Sequence, residues 1–116
     1  MTKSAEDNRL EFEAAVGAMP AGEQALAEAL TAAVAEVAPQ LEPRLFYSMP
    51  AFALDGKTIC FFQSATKFKT RYCTLGFTDS AKLDDGTFWP TSYALSELTP
   101  KLEVELRKLL ARAVGK

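Results

Sequence analysis

The residues of this chain that could do chemistry are two cysteines, a run of aromatic residues with a methionine and a proline, and two clusters of charge. Histidine is absent from all 116 residues. That excludes Ser-His-Asp and Cys-His catalysis, imidazole metal ligation and a histidine pH switch. A general base would have to be Asp, Glu, Lys, Tyr or Cys. No glycine-rich phosphate loop, Walker pattern or Rossmann pattern is present. No catalytic residue is assigned, and the chain reads as a binding module rather than an enzyme.

Four features carry a possible site. The segment Tyr47, Met49, Pro50 and Phe52 would suit an apolar rim, since small-molecule sites are mostly apolar with a few placed polar groups. It would equally suit a turn packed into the core, where methionine fills irregular gaps. Lys57, Phe62 and Trp89 complete the candidate ligand-binding set. Lys57 follows a turn and would form a Schiff base only if desolvated. Cys60 and Cys73 are equidistant from position 66.5, so a symmetric hairpin would make them cross-strand neighbours. Two thiolates are too few for a closed zinc site, and a reducing compartment leaves them free. Lys67, Lys69 and Arg71 alternate and would share one strand face, with Phe68 and Tyr72 opposite. They would touch phosphate, or guard an edge strand against aggregation.

The fourth feature is acidic. Glu6, Asp7, Glu11 and Glu13 offer hard oxygen ligands that would suit iron; the same residues also favour a helix N-terminus through its dipole. Asp79, Asp84 and Asp85 lack calcium-loop spacing, because Ala81 and Leu83 stand between them.

These residues need elements to position them. Ser4 and Asp7 form a capping-box pair opening a first helix, whose apolar side is Leu10, Phe12, Val16 and Met19, and Gly17 and Pro20 end it. Leu26, Leu30, Val34, Val37 and Leu41 form one helical stripe. They predict a second helix over 20–38, with exposed alanines, stopped by Pro39. Strands follow over 44–47 and 51–54, broken by Ser48-Met49-Pro50, and then over 58–64, 69–77 and 89–95. Asp55-Gly56 is a two-residue hairpin signal, because both positions need positive φ. Residues 79–86 form a polar loop. Thr99 caps a last helix that has Pro100 in its first turn, with Leu102, Leu106, Leu109, Leu110 and Ala113 inward and Glu103, Arg107 and Lys108 outward. The pattern gives one α+β domain over 1–116: two N-terminal helices, a mostly antiparallel sheet of four to five strands and a C-terminal helix.

At Tyr47-Ser48-Met49-Pro50-Ala51-Phe52, Asp55-Gly56-Lys57, Ile59-Cys60-Phe61-Phe62 and Leu75-Gly76-Phe77, the chain resembles the YdhG-like family, also called domain of unknown function 1801. The resemblance spans roughly residues 8 to 114. It implies two N-terminal helices, a Met-Pro turn, an aromatic third strand and a C-terminal helix. One branch of that family is described as a frataxin-like intracellular iron chaperone. This chain departs after Phe77, with Asp79-Ser80-Ala81-Lys82-Leu83-Asp84-Asp85-Gly86 in place of a basic, glycine-containing segment.

Charge is uneven: residues 1–43 hold two basic and eight acidic side chains, and residues 44–116 hold eleven basic and seven acidic. With a pI near 5.2, a nucleic-acid partner is not expected. No apolar run is long enough to span a membrane, and the first residues lack the apolar core of a signal peptide. The expectation is a cytoplasmic module that binds a small molecule or a protein near the Met-Pro turn, without a cofactor. The alternative is an iron chaperone using the acidic N-terminal helices.

Overall fold

A computed structural model describes residues 3–116. Helix α1 (Ala5–Gly17) begins where its capping box sets it. The Asp7 N–H donates to Ser4 Oγ at 3.0 Å, and the Ser4 N–H donates back to the Asp7 carboxylate at 3.3 Å. Phe12 and Val16 are buried, whereas Leu10 is 51% exposed. Leu10 was expected on their side, but two residues at 3.6 per turn carry a side chain about 200° around a helix.

Helix α2 (Ala21–Val37) buries Leu26, Leu30 and Val34, with Ala27 and Ala33 inside as well. Those two alanines, expected on the outer surface, widen the buried face. Leu41 is buried but lies past the helix end, so it joins the core from the segment leading into the sheet rather than from a helical stripe.

The sheet is a five-stranded antiparallel meander in chain order: β1 (Glu42–Phe46), β2 (Met49–Leu54), β3 (Lys57–Gln63), β4 (Cys73–Phe77) and β5 (Ser92–Leu95). The Asp55-Gly56 turn is as the sequence dictates, with φ of 52° and 81°. The β1–β2 turn corrects the expectation. Its two residues are Tyr47 and Ser48, with φ of 49° and 63°, so Tyr47 lies outside the strand. Met49 and Pro50 do not break the strand; they begin β2, opposite Phe46 and Leu45. The β2–β3 ladder starts one residue later, at Ala51 opposite Phe61, so the donor that proline lacks falls at the ladder's end.

Between β3 and β4, Ser64 caps a one-turn helix, α3 (Ala65–Phe68), and Lys69 closes it in the left-handed region at φ 58°. Lys67, Lys69 and Arg71 therefore do not alternate along a strand; β4 starts only at Cys73. The longer connection also overturns the cysteine register. Cys60 lies opposite Phe77 and Cys73 opposite Leu95. The thiols share a face but stand four positions apart, about 13 Å along the strand direction. β5 is shorter than the expected 89–95 strand and starts after Pro90. Helix α4 (Pro100–Ala113) follows its Thr99 cap and buries Leu106, Leu110 and Ala113, as its stripe predicts.

The helical face of the sheet contributes Phe52, Cys60, Phe62, Cys73, Leu75, Phe77 and Leu95 to the core. A bulge at Ile59 lets Ile59 and Cys60 both enter it, because the extra residue bends the strand. The 79–86 segment is a loop but not a wholly polar one. Ala81 and Leu83 are buried, and the Lys82 N–H donates to the Ala113 carbonyl at 2.8 Å. Arg112 also donates to the Leu83 carbonyl at 3.1 Å.

On the other face, Phe46 of β1 and Phe61 of β3 meet with ring centroids 5.5 Å apart. Their strands flank β2, so the rings close over Ala51, which is fully buried although it points away from the core cluster. The Phe61 ring continues over Gly76, where a Cβ would come within 2.2 Å of it. Gly76→Ala should therefore destabilise the fold by about 1–3 kcal/mol through overpacking. In a double-mutant cycle with Phe61→Ala, followed by denaturant unfolding, most of that loss should disappear. Simple additivity would refute the contact.

Candidate functional site

The sequence candidates fall into one group and several outliers. Met49, Pro50 and Phe62 line a cleft of about 310 Å³. One wall is the C-terminal end of α1 with Ala15, Ala18, Met19 and Pro20, and the other is the β1–β2 turn with Ser48. The far rim is the β3–α3 junction with Ser64, Thr66, Lys67 and Phe68. Phe62 is buried on the cleft side of the sheet, while Met49 borders the cleft from the start of β2 with its side chain buried on the opposite face.

Four predicted residues lie elsewhere. Tyr47 is 80% exposed and leans edge-on to Phe46 at 4.6 Å, outside the cleft. Phe52 packs on Phe12 with centroids 5.0 Å apart, beside a separate hollow between α1, α2 and β1. Lys57 is exposed at the start of β3, opposite Leu54 at the end of β2. Trp89 packs against the core from the segment before β5.

Local chemistry explains how the cleft is held. Glu23, in the first turn of α2, accepts from Ser64 Oγ, from Thr66 Oγ1 and from the Thr66 N–H at 3.1 Å. Burial acts against its charge, but these donors outweigh burial and hold the carboxyl below its ordinary value. Ser64 Oγ also accepts from the Lys67 N–H at 3.1 Å, which sets the turn of α3. Lys67 then reaches across the mouth, its Nζ donating to the Ser48 carbonyl at 3.1 Å. Its ammonium also lies 5.7 Å from the centre of the Phe68 ring.

Backbone strain gathers here too. Of the four non-glycine residues with positive φ among the described residues, Ser48 lines the cleft, and Tyr47 and Lys69 adjoin residues that do. Left-handed backbone at non-glycine residues is costly and concentrates at functional positions.

The acidic candidates are not assembled into a metal site. Glu6 and Glu13 both hold Arg9, at 2.6 and 2.8 Å, and Glu11 pairs with Lys3 at 2.7 Å. Asp7 is engaged in the α1 cap. Among the described residues, no three Cys, Asp or Glu side chains converge as metal ligands. Both thiols are free and buried. Burial pushes Cys60 up to about 12, against the opposing effect of a hydrogen bond from the Phe52 backbone. Burial also raises Cys73, as does the nearby Glu23 charge, against a hydrogen bond from the Ala65 backbone. Among the described residues, no helix is long and apolar enough to cross a membrane.

Sequence reasoning missed α3 and the Glu23 anchor. The available signal was Ser64 three residues before Lys67, a helix N-cap pattern too short to show periodicity. Comparison of the chain with protein-family profiles, characterised proteins and solved structures found no match.

Two outcomes follow from this chemistry. A carboxyl held below its unfolded value stabilises the fold above that value, and the contribution fades as pH falls through the folded one. Glu23→Gln should therefore lower unfolding free energy by about 1–3 kcal/mol at neutral pH, the range for hydrogen bonds to a charged group. The gap from wild type should narrow as pH drops below about 4; a gap constant with pH would contradict the assignment. Alkylation of native protein at mildly alkaline pH should leave both thiols unmodified for as long as the fold is intact, while unfolded protein reacts fully. Mass spectrometry reads the difference.

Proposed function

We propose that this protein is a small-ligand binding module and that the cleft beside Met49 and Pro50 is its site. One observation carries the reading: α1, the β1–β2 turn, β3 and α3 converge on a single concavity with an apolar floor and a short polar rim. That is the usual make-up of small-molecule sites, and about 310 Å³ lies at the lower end of their usual size. The strained Tyr47-Ser48 turn and the buried Pro50 and Phe62 support it, because preformed walls reduce the ordering a ligand must impose. The resemblance to the YdhG-like family is consistent with this reading, since Met49 and Pro50 lie within its most distinctive motif. The iron reading has less support. Its carboxylates would have to leave Arg9, Lys3 and the Ser4 cap before binding a cation.

A fragment screen by two-dimensional NMR tests the site. Apolar fragments should shift the amides of Met19, Met49 and Phe62 together. Ala18 is exposed and lines the cleft, so Ala18→Trp would occlude it without entering the core. That variant should weaken fragment binding at least about tenfold, or 1.4 kcal/mol, with its unfolding midpoint unchanged. Fragments that bind Ala18→Trp as well as wild type would place the site elsewhere.

A further inference from the structure

The lining of the same cleft also specifies the charge of what it holds, an inference that rests on the reading above. Among the described residues that form it, Lys67 alone is charged. Its ammonium has three donors, and the Ser48 carbonyl takes one, which leaves two for a guest. Two of the three rim hydroxyls offer no competing donor, and the third, on Ser48, is a neutral donor that adds to Lys67 in receiving an anion. The protons of Ser64 and Thr66 are committed to Glu23, and Glu23 itself sits behind them, outside the lining and already accepting from three donors. The floor beneath is made of Met19, Pro50 and Phe62.

We infer that the ligand is a small organic monocarboxylate with an apolar, aromatic or short aliphatic body. The body lies on Met19, Pro50 and Phe62, and its carboxylate takes the two remaining donors of Lys67. A phosphate ester fits less well. Phosphate is better matched by several cations or by a nest of backbone amides, and here a single lysine faces the space. An ammonium-bearing guest would meet Lys67 as a like charge.

The test compares 3-phenylpropionate with its neutral amide, 3-phenylpropanamide, by NMR titration of the full chain. On wild type the acid should bind about fivefold more tightly than the amide, the range of a partly exposed ion pair. The preference should fall to near unity in Lys67→Met, persist in Lys67→Arg, and shrink at high salt. Lys67 is exposed, so these variants should keep the wild-type unfolding midpoint. If the amide binds in the cleft as tightly as the acid, the carboxylate assignment falls and the binding site stands. A preference that survives in Lys67→Met also overturns the role of Lys67. If neither probe shifts the cleft amides, both the assignment and the site are overturned.

Discussion

Two tight turns govern the rest of this molecule. Tyr47-Ser48 and Asp55-Gly56 each place both residues at positive φ, the conformation that matches the right-handed twist of flanking strands. A two-residue connection leaves no slack, so each turn fixes its register to the residue. A slip of one position would exchange the faces of β2 and turn Phe52 out of the core. The fixed register instead sends Phe52 and Pro50 one way and Met49 and Ala51 the other. It thereby decides which side chains can face α1 and which lie beneath Phe46 and Phe61.

The site depends on this frame at one end and on a single carboxylate at the other. Glu23 sits in α2, and the groups it holds belong to the β3–α3 junction more than forty positions later in the chain. The bond therefore ties the helical layer to the sheet. Through Ser64 it also orients α3, and through α3 it delivers Lys67 to the mouth of the cleft. The cleft is thus a product of tertiary structure, since no single element carries enough of its lining to form it.

That origin explains what could be read from the sequence. Features enforced by local chemistry were legible: the Ser4–Asp7 cap, the Asp55-Gly56 turn, the Thr99 start of α4 and its leucine stripe. The Tyr47-Ser48 turn was not, because neither residue is a glycine and nothing nearby marks a left-handed pair. α3 was hidden by its four-residue length, and the error spread: a strand was expected at 69–72, and Cys60 was set against Cys73 instead of Phe77. Of the candidate site, Met49, Pro50 and Phe62 were found through their motif. Lys67 reads in the sequence as one of three alternating charges on a strand, and only the fold shows it on α3. Glu23 was one acidic residue among several on an N-terminal helix, and only its distant partners distinguish it.

The strict chain order of the sheet bears on how the molecule assembles. Each strand pairs with its neighbour in sequence, two of the four connections are two-residue turns, and no strand must cross over another. Short closures carry little loop entropy, and local pairings favour fast folding. The packing of α2 against α4 is different, since it joins segments at opposite ends of the sheet's sequence. The topology thus divides assembly into a sheet that can zip outward from its hairpins and a helical layer that locks only once the last strand is placed. Pulsed hydrogen exchange during refolding would resolve that order, with the amides of β2 and β3 protected before those of α4.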